Sequence, residues 1–183
     1  MQSLAAMLED RDLLKVTTAE LAKRSEITEA AIYKHFPSKR KIFEELVVFF
    51  EESIFTRIKV MKEESKPEDF PGQLIALVLK FCETNKGFSR ILTREVFTAD
   101  EVKIIDKVSN CFEKINIEIR QSLQEYERTT KKKLNLNLAA SCDLLLSCLE
   151  GQIQSFVRSK FKKDLSGSWE DQWNFLKKAI FAN

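Results

Sequence analysis

Few residues in this chain interrupt regular secondary structure. Its 183 residues include only 4 glycines and 3 prolines, and no stretch alternates apolar and polar residues as a half-buried strand would. Hydrophobic residues make up 44% of the chain, which is enough for an ordinary core. The sequence therefore predicts an all-α protein made of one sizeable domain, or of a small domain and a larger one.

The residues needed for most catalytic and metal chemistry are also scarce. There is one histidine, His35, and none of the four cysteines stands in a CxxC pair, which argues against a multi-histidine metal site or a histidine-dependent triad. No Gly-rich phosphate loop is present. The two pairs of adjacent acids, Glu44 with Glu45 and Glu51 with Glu52, are not catalytic pairs, because neighbouring residues do not share a helix face. We expect no enzymatic activity, metal or cofactor, and we expect buried, free thiols in a cytosolic protein.

Long apolar runs and a large net charge are absent as well. No signal peptide is visible, and the longest apolar runs, such as 74–79, are far too short to span a bilayer. The net charge is only +2, from 30 basic and 28 acidic residues, so any contact with nucleic acid must depend on local clusters. One such cluster, with no acid inside it, comprises Lys34, Lys39, Arg40 and Lys41.

The stretch 16–39, VTTAELAKRSEITEAAIYKHFPSK, predicts two short helices joined by a tight turn. Thr17 is suited to cap the first helix, Thr28 the second and Ser38 the helix that follows, and Pro37 ends the second. In a helix-turn-helix the second helix lies in the major groove of DNA, which is about 12 Å wide. The alternative is a helical hairpin that only packs against the rest of the protein.

The residue types of this unit suit contacts with DNA. Hydroxyls and free N–H groups at helix N-termini suit phosphate oxygens, small side chains let a helix approach thymine methyl groups, and tyrosine and histidine side chains can donate to phosphates. The predicted DNA-contacting residues are Thr17, Thr18, Thr28, Ala30, Ala31, Tyr33, Lys34, His35 and Lys39.

The rest of the chain predicts six further helices, because apolar residues recur at helical spacing. If a helix over 1–8 is counted as the first of the chain, these are the fourth to the ninth helices, and they cover 39–64, 73–84, 89–95, 99–126, 136–161 and the segment from Trp169 onwards. The segment 85–87, which ends in Gly87, is expected to end the fifth helix. We place the domain boundary after residue 38, with a DNA-binding domain over 1–38 and a regulatory and dimerisation domain over 39–183. Because residues 1–8 have the pattern of a helix already in progress, we expect the natural chain to begin earlier, with an N-terminal arm.

The eighth and ninth helices carry more apolar surface than one neighbouring helix requires. We therefore expect them to join two copies of the chain. The predicted interface residues are Leu138, Cys142, Leu145, Leu149, Ile153, Phe156, Trp169 and Trp173. A symmetric dimer would place two recognition helices about 34 Å apart on one face of DNA.

Residues 1–46 resemble the DNA-binding domain of TetR-family regulators, through TTAELA, AAIYKHFPSK and KIFEEL. The resemblance implies a helix-turn-helix followed by a helical bundle. One departure is Glu26, at a turn position where the family commonly has glycine. If this residue adopts a positive φ, the strain amounts to about 1 kcal/mol.

Three further strings narrow the resemblance to the nucleoid occlusion factors of that family: EESIFTRI, NKGFSRILT at 85–93 and CLEGQIQSFVRSKFK at 148–162. Because the similarity extends nearly from end to end, it is more specific than the first domain alone. It implies a cytoplasmic, nucleoid-associated homodimer that binds palindromic chromosomal sites. It also implies that the DNA-bound protein engages the C-terminal tail of the division protein FtsZ and blocks Z-ring assembly over the nucleoid.

In the nucleoid occlusion factors the FtsZ tail lies beside the fourth and fifth helices. The matching positions here are Phe49, Arg57, Leu77 and Asn85, together with Lys80, which stands where the family has a small residue. Thr84 stands where the family has an arginine. Periodicity alone favours another interpretation, in which Phe49 and Leu77 belong to the core and Arg57 is a solvated charge.

A ligand-responsive repressor of the TetR type is the main alternative function. Its regulatory domain would enclose a pocket, and the Phe-rich apolar stripes could line one. Few polar residues interrupt those stripes, which favours a filled core.

Overall fold

The computed structural model describes residues 19, 22–23, 26, 28–98 and 101–181, almost all of them in helices and short turns. The helices are α1 (Glu29–His35), α2 (Lys39–Glu64), α3 (Phe70–Thr84), α4 (Lys86–Leu92), α5 (Val102–Thr130), α6 (Leu138–Arg158) and α7 (Trp169–Ile180). Over these residues the only extended pairing is one antiparallel bridge between Leu134 and Phe181. The all-α prediction is confirmed. Seven of the nine expected helices are described; the two expected before Thr28 fall almost wholly outside the described residues.

The caps predicted at Thr28 for α1 and at Ser38 for α2 are confirmed, whereas the one predicted at Thr17 lies outside the described residues. The Thr28 hydroxyl accepts a hydrogen bond from the Ala31 N–H at 3.2 Å, and the Ser38 hydroxyl accepts one from the Lys41 N–H at 3.1 Å. In the turn before Thr28, Glu26 has φ of 55°, so this residue does adopt the left-handed conformation that glycine favours.

The core is built from the inward faces of α2 to α7 and is rich in phenylalanine. Phe50 packs edge-on against Phe81 at 5.3 Å between ring centroids, and Phe81 packs against Phe88 at 5.2 Å. Fully burying such a ring contributes roughly 1.5–3 kcal/mol. The apolar stripes of the separate helices therefore pack against one another.

The boundaries of α3 and α4 differ from the prediction. α3 begins at Phe70, three residues earlier than predicted. Pro71 is tolerated in the first turn because a backbone N–H there has no intrahelical partner, so the N–H that proline lacks is not missed. Gly87 does not end α3 but lies inside α4. Asn85 ends α3 instead: its backbone N–H and its side-chain amide both donate to the Phe81 carbonyl, each at 2.9 Å.

α5 continues to Thr130, four residues past its predicted end. The Thr130 hydroxyl donates to the Tyr126 carbonyl at 2.7 Å, and Arg128 pairs with Glu125 one turn earlier. These local bonds stabilise the last turn of α5. The polarity of this segment predicts a linker, but the segment is helical. Lys131, with φ of 60°, then ends the helix.

The predicted dimer seam lies inside the chain's own core, which corrects the prediction. Leu138 is half-buried, and the other seven residues, Cys142, Leu145, Leu149, Ile153, Phe156, Trp169 and Trp173, are at most 9% exposed in a single chain. α6 packs against α3, α4 and α5, and α7 packs against α3. A side chain buried in its own subunit has no surface left for a second one, and an apolar stripe does not reveal which chain covers it.

Candidate functional site

α1 presents a small polar surface on the side opposite its anchor in the core. Ile32 is 3% exposed and holds the helix to the core. Thr28, Ala30, Tyr33 and Lys34 are exposed. A helix with small and polar groups outward and one aliphatic anchor inward is able to enter a groove of DNA.

Five other predicted DNA contacts stand differently. Ala31 is half-buried. His35 and Lys39 are described by their backbones in α1 and α2 only, and Thr17 and Thr18 lie outside the described residues.

Two cations of the basic cluster, at the start of α2, are neutralised by acids one turn further along that helix. Arg40 Nε lies 3.1 Å from Glu44, and Lys41 Nζ lies 2.7 Å from Glu45. The hydrogen bond to Glu45 also raises the pKa of Lys41. Within the described structure Lys34 is in no ion pair, so it is the more available cation for a phosphate.

A groove of about 340 Å³ runs between α2 and α3. Its lining residues are Phe49, Ser53 and Arg57 from α2, Leu77, Lys80, Phe81 and Thr84 from α3, and Asn85 after it. The groove thus contains all five predicted partner-binding residues. Ser53 and Phe81 were not predicted. Ser53 stands four residues from both Phe49 and Arg57, a spacing that the sequence already contained.

Phe49 forms an exposed apolar surface at one end of this groove. Its side chain is 42% exposed, and its ring lies against the buried Phe88 at 5.8 Å between centroids. Leu77 is half-buried beside it. The alternative in which Phe49 belongs to the core is therefore wrong, because one ring face is supported by the core while the other remains accessible.

The two cations of the groove differ in their surroundings. Arg57 is exposed and, among the residues described, has no ion-pair partner. Lys80 Nζ lies 2.8 Å from Glu83, which also accepts a hydrogen bond from the Ser166 hydroxyl at 2.7 Å. The bond from Lys80, followed by that from Ser166, lowers the pKa of Glu83 to about 2. Arg57 is thus accessible to a partner's carboxylate, whereas Lys80 already forms an ion pair with Glu83.

The same carboxylate fixes the loop that precedes α7. Glu83 Oε1 accepts from the backbone N–H groups of Leu165 and Ser166 at 3.2 and 3.3 Å. One wall of the groove is therefore attached to a segment more than eighty residues away in the sequence.

Three of the four thiols are buried, as predicted. Cys82, Cys111 and Cys142 are buried and Cys148 is half-buried, and all four are free. Burial raises the pKa of Cys82 and of Cys111 to about 12, so these two groups remain protonated at neutral pH. No helix in the described part of the chain is both long and apolar enough to cross a membrane.

Two family models match separate parts of the chain. Residues 3–46 match bacterial regulatory proteins of the tetR family, and residues 72–180 match the SlmA-like C-terminal domain of tetracyclin repressor-like proteins. The nucleoid occlusion factor SlmA of Marinomonas sp. (strain MWYL1) is 35% identical over 184 residues, which cover 100% of this chain and 93% of the relative. The same factor from Shewanella pealeana is 38% identical over 181 residues, 98% of this chain and 92% of the relative.

Solved structures share the fold at much lower identity. The transcriptional regulator FadR from Bacillus subtilis, in complex with stearoyl-CoA, superposes with a TM-score of 0.76 at 15% identity, over 99% of both chains. PfmR from Thermus thermophilus, a TetR family regulator, gives a TM-score of 0.74 at 16% identity, over 99% of this chain and 98% of the other.

Proposed function

Because this chain belongs to the SlmA-like nucleoid occlusion factors of the TetR family, we propose that it binds palindromic chromosomal DNA and, while bound, inhibits FtsZ assembly over the nucleoid. DNA binding would mark where the protein acts, and the groove between α2 and α3 would receive the division protein. The observation that carries the second half is the groove, in which one helix presents an exposed phenylalanine and an arginine that is in no ion pair with any described residue.

The DNA half of the proposal rests on α1 and its caps. The N–H groups and the hydroxyl at Thr28 suit a phosphate oxygen, and the exposed Ala30 leaves room for a base edge. The side chains of Lys34 and Tyr33 would donate hydrogen bonds to the phosphate backbone of DNA. This unit would occupy residues 1–38, with the remainder of the chain as the regulatory domain.

The partner half of the proposal rests on chemical complementarity. Phe49 and Leu77 provide an apolar surface, and Arg57, eight residues along α2 from Phe49, lies on the same helix face. A short peptide that carries an apolar side chain and a carboxylate would satisfy both. We propose that the C-terminal tail of FtsZ is that peptide, with Lys80 and Asn85 contacting its other end.

A homodimer would place two copies of α1 on one face of DNA. We propose that the outer faces of α6 and α7, rather than their core faces, form its interface. Leu144 on α6 is 37% exposed and Phe175 on α7 is 75% exposed. Aromatic residues are enriched at interfaces between proteins.

Co-sedimentation of FtsZ polymers tests the proposed function directly. The protein is added to polymerising FtsZ with a palindromic duplex, with a random duplex of the same length, or without DNA. We expect the pelleted FtsZ to decrease most with the palindrome. Unchanged FtsZ in all three samples, with a protein that binds the palindrome, would instead favour a TetR-type repressor that responds to a ligand.

A further inference from the structure

A second pocket lies beyond the C-terminal end of α2, at the opposite end of that helix from α1. α2 contains 26 residues and is therefore roughly 39 Å long. The pocket has a volume of about 520 Å³ and is lined by Glu68, Tyr126, Thr130, Lys132, Asn174, Lys177, Lys178 and Phe181. It shares no residue with the groove between α2 and α3, and neither the proposed DNA contact nor the proposed FtsZ contact uses it.

The charge of this pocket is predominantly positive. Three ammonium groups and one carboxylate, that of Glu68, belong to its lining. Lys177 pairs with Asp69 nearby, whereas the structure as described gives neither Lys132 nor Lys178 an ion pair. Two ammonium groups that are in no ion pair with any described residue line one concave site, so an anion bound there would be stabilised.

The loop that follows α5 and carries Lys132 is joined to the end of α7 by two hydrogen bonds of Asn135. The Asn135 N–H donates to the Ile180 carbonyl at 2.8 Å, and its side-chain amide donates to the Phe181 carbonyl at 3.2 Å. The Lys132 N–H donates to the Thr130 hydroxyl at 3.2 Å. The short segment around Lys132 is therefore attached on one side to Thr130 and on the other to the end of α7, the helix that carries Lys178.

The inner wall of the pocket is aromatic. The rings of Tyr126 and Phe181 meet edge to face at 4.7 Å between centroids. Asn174, which is exposed one turn before Lys178, adds an amide donor at the rim. Cationic groups at the rim and an apolar wall inside are suited to a molecule with an anionic group and an organic body.

We propose that this pocket binds a small organic phosphate. The volume lies in the range of about 300–1,000 Å³ that is typical of small-molecule sites. Lysine ammonium groups bind phosphate as point charges, without the planar fork that arginine offers to carboxylates and phosphates alike. The phosphate would lie between Lys132 and Lys178, with the organic part against the aromatic wall.

Isothermal titration of the full chain, without DNA and at constant ionic strength, tests this proposal. The probes are ATP without magnesium, inorganic pyrophosphate and adenosine. We expect ATP and pyrophosphate to bind and adenosine to bind far more weakly, because the phosphate supplies the recognised charge. Absence of ATP and pyrophosphate binding, or equal binding of adenosine and ATP, would overturn the proposal.

Two double variants show where the anion binds. Lys132→Gln with Lys178→Gln should weaken ATP binding about tenfold. The matched control, Lys59→Gln with Lys103→Gln, removes two exposed lysines elsewhere and should change it less than about twofold. Equal losses in both would mean diffuse surface attraction and would contradict the assigned pocket. Arg57→Ala should leave ATP binding unchanged, because Arg57 lines the groove and not this pocket. A failed test of the phosphate pocket therefore says nothing against the FtsZ groove, and the two proposals can fail separately.

Discussion

The indole nitrogen of Trp169 donates a hydrogen bond to the carbonyl oxygen of Gly72, at 2.8 Å. Trp173, one turn further along α7, stacks on Trp169 with 6.3 Å between ring centroids and covers the α-carbon of Gly72. The last helix of the described chain is thereby joined to the first turn of α3. Since α3 forms one wall of the groove, its position depends on a contact between residues about one hundred positions apart.

Gly72→Ala should destabilise the protein by about 1–3 kcal/mol, because an added Cβ would overlap the Trp173 ring. Urea unfolding measures the change. Gly151→Ala is the matched control, since a Cβ at that exposed helical glycine meets no atom within 4 Å. It should be neutral or stabilising by up to about 1 kcal/mol. Equal effects of the two substitutions would contradict the close contact with Trp173.

Phe49→Ala and Arg57→Ala should each weaken binding of an FtsZ tail peptide by about 5- to 30-fold, which is the effect of losing one anchor of an interface. The first removes the exposed aromatic surface and the second the unpaired cation. Fluorescence anisotropy with a labelled peptide measures the affinity.

Two neighbours on the same helix serve as controls for these variants. Val60 is 54% exposed and Lys59 is exposed, and neither lines the groove. Val60→Ala and Lys59→Ala should leave the affinity within about twofold. If the groove variants behave like these controls, the peptide binds elsewhere.

Lys34→Gln should weaken DNA binding similarly for a palindromic and a random duplex, because a phosphate contact carries no sequence information. The slope of log K against log salt should become smaller by about 0.9, as one fewer counterion is released. Anisotropy across a salt series measures both quantities, with Lys103→Gln as the control. A loss confined to the palindrome would mean that Lys34 contacts a base edge instead.

Glu83→Gln should destabilise the protein at pH 7 by about 1–3 kcal/mol. The pKa of Glu83 is about 2 in the folded protein, below the ordinary value of 4.5. Its ionised form therefore stabilises the fold above about pH 4.5, and this contribution is lost as the pH falls towards 2. The difference in unfolding free energy from the unsubstituted protein should narrow from pH 5 to pH 3.

Urea unfolding at several pH values measures this difference. The control Glu52→Gln alters an exposed carboxylate on α2 and should cost less than about 0.5 kcal/mol. A difference for Glu83→Gln that stays constant with pH would exclude the carboxylate as its source.

Several features of the site could be predicted from local sequence because their causes are local. The Thr28 and Ser38 caps are hydrogen bonds between residues three positions apart. The spacing of Phe49 and Arg57 along one helix places both on one face. The end of α3 at Thr84 agrees with the prediction, but the expected glycine cap does not, because Asn85 closes that helix.

The sequence by itself determined the all-α class, the caps at Thr28 and Ser38 and the family, because periodicity, capping and motif strings are properties of short segments. Tertiary structure alone decided which apolar stripe each helix buries and against what. Leu145 and Leu149 were predicted at a dimer interface and lie in the core, because burial has the same periodicity whether the neighbour is the same chain or another. The tertiary structure also decided that Glu83 binds both Lys80 and Ser166, whereas Arg57 remains accessible to a partner. The contact between Glu83 and Ser166 joins residues more than eighty positions apart, which local sequence does not reveal.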